Sequence, residues 1–491
     1  MNALAKLLDQ ERHRVESENK LIVTQDPWRL KYHLMPPVGW LNDPNGLCQY
    51  QGEYHVFFQY CPYTVDGSGV KLWGHYSSKD LLNWVYRGTP LLADSPWDCH
   101  GVYSGSAYIE NDHAYLYYTG NVKFPGDYDY INKGRGAATI RVELNPDGTI
   151  GQKQKVLDTD DYPEDYSCHI RDPKIWRQDD SYFMVLGART KDGHGRVLQY
   201  QSKDLENWTL LQEIGSLSDF GYMWECPDIF QLAEDDASAI VTPQTHVLSF
   251  SPQGLTRDKE HFQNVYQSGY ILLDSEKVYL TEEKPYLLDT DTFSEWDYGF
   301  DFYAPQTFTD QNGRQLLIAW IGLPDIEDEY QNPTTEHGWQ HALSIPRVLT
   351  LKSGKIYQEP IPELKNLRQI QRRFEQKGSE LFTVLDTRAY ELSLSEIRSD
   401  RGRLKMGDDL EFTWQAGLCT LQFLNQTGAG RSKRLCRVDK LSSLRLMADH
   451  SLLELYLNDG EKVMTTRYYP QQIVHTLKIE GTDLANLWGL A

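Results

Sequence analysis

Ser78-Lys79-Asp80-Leu81-Leu82-Asn83-Trp84 recurs as Ser202-Lys203-Asp204-Leu205-Glu206-Asn207-Trp208. Each copy stands at a similar distance after a hairpin, so the two occupy equivalent places in a repeated unit. Around them lie short alternating or apolar runs: Tyr54–Phe58, Ala114–Tyr118, Tyr182–Leu186 and Leu316–Trp320. Each run follows a polar turn (Gln51-Gly52, Asn111-Asp112, Asp179-Asp180, Asn312-Gly313), as the second strand of a hairpin should. Repeated four-stranded units without long intervening helices point to a β-propeller. The fold class is all-β.

Five stretches open these units, near Asn42, Tyr103, Arg171, Trp224 and Phe302. Their spacings of about 50 to 80 residues exceed the roughly 40 to 45 of a minimal four-stranded blade. Five innermost strands would converge on one central channel, bringing distant residues to one pocket. The expected organisation is an N-terminal helical extension over 1–31 and a five-bladed β-propeller over 32–350. A linker over 351–374 and a β-sandwich over 375–491 should follow. In the last part, Leu453–Leu457 runs into Asn458-Asp459-Gly460, a strong hairpin signal.

Composition narrows the function. The chain has 49 basic and 70 acidic residues, a net charge of −21. Nucleic acid and anionic membrane are poor partners for such a balance, because both need clustered cations. Aromatic residues make up 12% of the chain, which suits stacking on sugar rings and equally suits an ordinary β-protein. The seven cysteines are odd in number and lack any CxxC pair, which argues for free thiols in a reducing compartment. Cys and His residues lack metal-ligand spacing. Neither metal nor cofactor is expected. Met1–Lys20 is charged and amphipathic, with Leu4, Leu7 and Leu8 on one side and no apolar leader segment. A soluble, cytoplasmic protein is expected.

The chemistry lies in carboxylates. Trp40-Leu41-Asn42-Asp43-Pro44-Asn45-Gly46, Arg171-Asp172-Pro173 and Trp224-Glu225-Cys226-Pro227-Asp228 each place an acid beside an aromatic residue or a proline. Retaining glycosidases use two carboxyl groups roughly 5 to 5.5 Å apart, one nucleophile and one acid. Asp43 suits the nucleophile, in a tight turn where Asn42 holds it ionised. Glu225 suits the acid, with Trp224, Cys226 and Pro227 expected to surround it with apolar surface and nearby Asp43 and Asp172 to repel its charge. Asp172 could hold sugar hydroxyls and stabilise an oxocarbenium-like transition state.

These motifs resemble glycoside hydrolase family 32, the β-fructofuranosidases, from about His33 to the C-terminus. Phe58-Gln59-Tyr60, Trp73-Gly74-His75, Ser104-Gly105-Ser106, Tyr303-Ala304-Pro305-Gln306, Trp320-Ile321-Gly322 and Ser344-Ile345-Pro346-Arg347 complete the resemblance in family order. It implies a propeller joined to a sandwich, with Asp43 as nucleophile, Asp172 as stabiliser and Glu225 as acid/base. It further implies that Asn42, Gln59, Trp73, Ser104, Arg171 and Trp320 bind the fructosyl unit. Two positions depart from the family pattern: Ser68 stands where relatives carry Trp, and Tyr103 where Phe is usual before Ser-Gly-Ser. Sucrose 6-phosphate is the expected substrate, with cations for its phosphate among His169, Arg189, Lys191, His194 and Arg196. Sucrose, fructo-oligosaccharides and fructosyl transfer are the alternatives, and a silent carbohydrate-binding propeller comes last because all three acids are present.

Overall fold

The computed structural model describes residues 2–235, 244–279 and 285–491. Five mainly antiparallel sheets follow one another along the chain. Blade I comprises Gly39–Tyr50, Glu53–Cys61, Leu72–Ser78 and Val85–Leu91. Blade II comprises Val102–Glu110, His113–Lys123, Arg135–Leu144 and Gln154–Leu157. Blade III is built from Tyr166–Gln178, Ser181–Thr190, Gly195–Ser202 and Thr209–Ser216. Met223–Ala233, Gln244–Gln253, Gly269–Leu273 and Ser294–Glu295 form blade IV. Blade V contains Tyr303–Thr309, Gln315–Ile321, Arg347–Lys352 and Lys355–Pro360. The first strands of successive blades lie against one another, and Tyr303–Thr309 returns against Gly39–Tyr50. This closes the five-bladed propeller around a central channel.

Closure has a second element. Trp339–Gln340, between the second and third strands of blade V, pairs in parallel with Gly39–Trp40. The free edge of the first inner strand is thereby covered by a segment from the far end of the domain.

The two sequence copies build the same turn between third and fourth strands, in blades I and III. Asp80 accepts from the backbone N–H of Leu82 and Asn83 at 3.0 and 2.8 Å, and Asp204 from Glu206 and Asn207 at 2.9 and 2.8 Å. Leu81 and Leu205 are left-handed, with φ of 63° and 65°. The indoles of Trp84 and Trp208 donate to their carbonyls at 3.0 and 3.3 Å. An Asp that mimics a backbone turn explains why the residues repeat.

The helix Ala3–Gln25 packs on the propeller with only Leu8 of its three N-terminal leucines against the core. Ala5, Arg12 and Val23 are buried, while Leu4 and Leu7 are exposed. Polar contacts orient it: Glu16 accepts from the hydroxyls of Tyr60 and Tyr86 at 3.0 and 3.1 Å.

The division expected at 350 falls inside Arg347–Lys352, whose hairpin partner Lys355–Pro360 completes blade V. After the 3₁₀ segment Pro362–Leu367, Arg368–Arg372 already pairs with Ala485–Leu490. Much of the expected linker is therefore paired strand. The C-terminal part forms a β-sandwich from a six-stranded and a seven-stranded sheet. Leu392, Leu404, Phe412, Leu421, Leu446 and Leu455 fill the space between them.

Propeller and sandwich meet through buried charge. His33 touches Asp449 at 2.9 Å and Glu454 at 3.0 Å, and Arg347 reaches Glu454 at 2.7 Å and Asp297 at 3.2 Å. All five side chains are shielded from solvent. Their mutual pairing is what makes this burial tolerable.

Candidate active site

All five inner strands break register at one level. Two residues there oppose one on the neighbouring strand: Asn42-Asp43 against Gln59, Tyr103-Ser104 against Thr119, Asp172-Pro173 against Leu186, Cys226-Pro227 against Phe250, and Ala304-Pro305 against Ala319. These are β-bulges, which bend a strand and re-aim its side chains. Proline is tolerated in three of them because a bulged residue owes no ladder hydrogen bond. Asp172, Cys226 and Ala304 adopt φ of 66°, 47° and 48°, uncommon for residues with a Cβ. Gly105 answers a different demand, since a Cβ there would lie 1.9 Å from the Tyr117 carbonyl oxygen.

Side chains stitch the bulges together. Buried Asn45 accepts from the backbone N–H of Gly105 at 2.9 Å and from the Gln306 amide at 3.4 Å, joining blades I, II and V. Ser106 donates to the Pro173 carbonyl at 2.8 Å, and the Asp172 N–H donates to Thr119 Oγ1 at 2.9 Å. Asp-Pro and Asn-Gly in the first motif therefore serve a bulged strand. The tight turn expected around Asp43 is absent.

The three acids converge on Cys226. Its backbone N–H donates to Asp172 at 2.9 Å, its Sγ lies 3.7 Å from Asp43 Oδ2, and Glu225 precedes it. Asp43 also accepts from Asn42 at 3.2 Å and, by a short contact, from Ser104 Oγ. Burial pushes the Asp43 carboxyl up, the Ser104 hydrogen bond opposes this, and the Glu225 charge adds to the rise. Asp172 is pushed up to about 7, first by burial; Arg171 pulls it down while Glu225 and Asp43 push it up.

Glu225 differs from the expectation of an apolar surround. Trp224 points away and donates to the Phe220 carbonyl at 2.7 Å. Glu225 Oε1 instead accepts from Arg171 at 2.6 and 3.2 Å, and Oε2 accepts from Gln253 and Tyr303 at 2.6 Å each. The alternation of the strand decides this, because residues i and i+1 face opposite ways.

Most remaining candidates meet here. Asn42 donates to Gln59 and accepts from the Trp40 indole at 2.8 Å. Trp320 donates to His341 at 2.8 Å and stands edge-on to Trp40, with centroids 5.8 Å apart. Trp73 does not join them. It is fully buried among Phe57, Leu116 and Tyr118, and reaches only the Tyr103 carbonyl at 3.2 Å. Its place in the motif reflects packing between blades I and II.

Other neighbours carried no readable signal. Lys71 lies over the Trp40 ring at 5.0 Å, and burial pulls its ammonium down to about 8. Ser68, at the position where relatives carry Trp, is exposed and hydrogen-bonds Asp66 at 2.7 Å. Tyr303 and Gln253 belong to the Glu225 surround, and only Tyr303 lay in a recognisable motif. A separate cleft of about 1160 Å³ opens at the other end of the inner strands, lined by Trp176, Phe230 and Phe308. None of the three acids lines it: its wall begins at Leu47, Lys174 and Ile229, four, two and four residues beyond Asp43, Asp172 and Glu225.

Residues 33–360 match the description Glycosyl hydrolases family 32 N-terminal domain, and 387–485 match Glycosyl hydrolases family 32 C terminal. The chain belongs to glycosyl hydrolase family 32. As a family 32 enzyme it is 39% identical over 480 residues to a sucrose-6-phosphate hydrolase of Bacillus subtilis (strain 168), covering 95% of this chain and 94% of that one. A Klebsiella pneumoniae sucrose-6-phosphate hydrolase is 38% identical, covering 90% and 88%. Among solved structures, a Lactobacillus gasseri sucrose-6-phosphate hydrolase superimposes with a TM-score of 0.83 at 28% identity, covering 98% and 96%. A Bombyx mori β-fructofuranosidase variant in complex with sucrose does so at 0.80 and 28%, covering 100% and 99%. Among the described residues, no helix of this family 32 enzyme is long and apolar enough to cross a membrane.

Proposed function

We propose that this enzyme is a retaining β-fructofuranosidase acting on a small carbohydrate, with sucrose 6-phosphate preferred over sucrose. The observation that carries the mechanism is the meeting of Asp43, Asp172 and Glu225 around Cys226. Asp43 attacks the anomeric carbon of the fructosyl unit while Glu225 protonates the departing oxygen, giving a covalent fructosyl-enzyme. Glu225 then takes a proton from water, and the water displaces Asp43. Asp172, fixed by the Thr119 hydroxyl and the Cys226 N–H, holds hydroxyls of the sugar as charge develops. Asn42, Gln59, Ser104 and Trp320 position the ring, and Arg171 holds Glu225.

The phosphorylated substrate is supported by the extensive likeness to proteins named sucrose-6-phosphate hydrolase. An intracellular setting belongs to the same reading, supported by seven cysteines that are all free. Two measurements test it. The kcat/KM for sucrose 6-phosphate should exceed that for sucrose, and equal values would remove the preference. Proton NMR of early turnover should give β-fructofuranose first; initial release of the α-anomer would remove the covalent mechanism.

A further inference from the structure

Two guanidinium groups meet at His169 and the charge of a third acts on it, and one of the three has a carboxylate. Arg171 Nη1 donates to His169 Nδ1 at 2.8 Å, while its other nitrogens hold Glu225. Arg135, from the third strand of blade II, brings its own Nη1 to the same imidazole nitrogen at 3.4 Å. Arg189, at the end of the second strand of blade III, acts on the ring through its charge. Among the described residues, neither Arg135 nor Arg189 has a carboxylate within 4.0 Å. The Nε of Arg135 is buried without a hydrogen-bond partner. Arg189 lies over the Tyr222 ring, 4.7 Å from its centroid, which fixes its direction without neutralising it.

Such a group is costly without a counter-ion. Arg135 and Arg189 are both partly buried, and Arg135 is pulled down by burial, with Arg171 adding repulsion. In a chain with 70 acidic residues against 49 basic ones, carboxylates are abundant, yet among the described residues none completes this cluster. His169 cannot be the repelling centre. Burial and then Arg171, Arg135 and Arg189 hold its pKa down at about 2, so it is neutral and its Nδ1 accepts. The groups run outward from the acid in the order Glu225, Arg171, His169, Arg135.

We propose that Arg135 and Arg189 form a subsite for the phosphate monoester of the leaving sugar, on the Arg171 side of Glu225, with His169 and Tyr222 positioning the two guanidiniums. The proposal rests on the fructosidase reading above and assigns the group that recognises the phosphate. A planar guanidinium fork suits phosphate oxygens better than a point charge does. The other cations expected from this region are occupied elsewhere. Lys191 donates to the Glu164 carbonyl, Arg196 donates to the Gly195 carbonyl at 2.8 Å, and His194 lies 3.8 Å from Asp192 and 4.0 Å from Asp219.

The test compares kcat/KM on sucrose 6-phosphate and on sucrose for the wild type, Arg135→Ala, Arg189→Ala, Arg135→Lys and Arg196→Ala. Loss of a charge-assisted contact should cut the ratio of the two values about 10- to 100-fold in each of the first two variants. Arg135→Lys should recover part of it. Arg196→Ala should keep the wild-type ratio. Inorganic phosphate should inhibit the wild type competitively and Arg135→Ala more weakly. Unchanged ratios in Arg135→Ala and Arg189→Ala, beside a discriminating wild type, would overturn the subsite and leave the substrate preference standing. A wild type that does not distinguish the sugars would overturn the preference and the subsite together. A wild type that cleaves neither sugar would overturn the fructosidase reading itself.

Discussion

Arg171 places Nε and Nη2 on a single oxygen of Glu225, at 3.2 and 2.6 Å. The hold is planar and two-pronged, which an ammonium cannot copy. Arg171→Lys should therefore keep the charge and lose the orientation. The expected result is a fall in kcat/KM of about 10- to 100-fold, the worth of a charge-assisted hydrogen bond, with little change in Tm. An equally active Lys variant would show that charge alone suffices.

Asp43→Ala and Glu225→Ala should each remove most turnover while the protein stays folded by circular dichroism. For Glu225→Ala the loss on sucrose should be about 10² to 10⁴-fold, the range of general acid catalysis. A fructoside with a good leaving group needs less protonation, so its loss should be much smaller. Near-normal hydrolysis by either folded variant would reassign the roles.

The pH profile should carry the imprint of Asp172. Stabilising positive charge requires its carboxylate, and its pKa is pushed up to about 7. The acid limb of kcat/KM should accordingly lie well above the ordinary carboxylate range of about 3.9 to 4.3, with macroscopic values that belong to the coupled acids together. Stability runs the other way. A raised carboxyl binds its proton more tightly when folded, so its contribution is full below about 3.9 and is lost as pH rises through 7. An acid limb below pH 5 would contradict this ordering.

The buried pairs between propeller and sandwich should respond in two directions. His33 is raised: burial opposes its charge, but the hydrogen bonds it donates to Asp449 and Glu454 outweigh it. Its stabilisation is complete below about 6.5 and is lost as pH climbs through the folded value. Asp449 is lowered because hydrogen bonds from His33 and His450 overcome its burial, and Glu454 is lowered to about 2 because Arg347 and His33 overcome its own. Their contribution is present above roughly 4 and disappears as pH falls through the folded values. His33→Ala strands buried carboxylates, costing about 3 to 5 kcal/mol. Thermal unfolding should show a lowered Tm and a flatter decline on the alkaline side; an unchanged Tm would mean that the pairs add nothing.

Turn chemistry made much of this fold readable. Gln51-Gly52 and Asn111-Asp112 sit at the hairpin tips where they were expected, with all four residues at positive φ. The Ser-Lys-Asp-Leu repeat was legible because one Asp must satisfy several N–H groups in each copy. Bulges were not legible. Asp172, Cys226 and Ala304 give no glycine to mark a left-handed backbone, and the ring of inner strands imposes it on them. The same gap hid the function of Asn45, which reads as half of an Asn-Gly turn and instead ties three blades. Trp73 illustrates the converse, because a motif tryptophan packs between blades as readily as it lines a pocket. Arg135 had no motif at all. Its significance is that no carboxylate among the described residues pairs with it, which only three-dimensional neighbours reveal.

The pairing of Trp339–Gln340 with Gly39–Trp40 also sets an order for folding during synthesis. A chain emerging from the ribosome N-terminus first offers the opening strand of blade I long before its parallel partner exists. Until about residue 340 has emerged, that strand keeps an exposed edge, a template for wrong pairing with another chain. Asn42 and Asp43 lie immediately beyond the paired residues, so the nucleophile's surroundings take their final form only when the last blade arrives. Truncated chains ending in blade IV should consequently be both inactive and prone to aggregate, however well their individual sheets form.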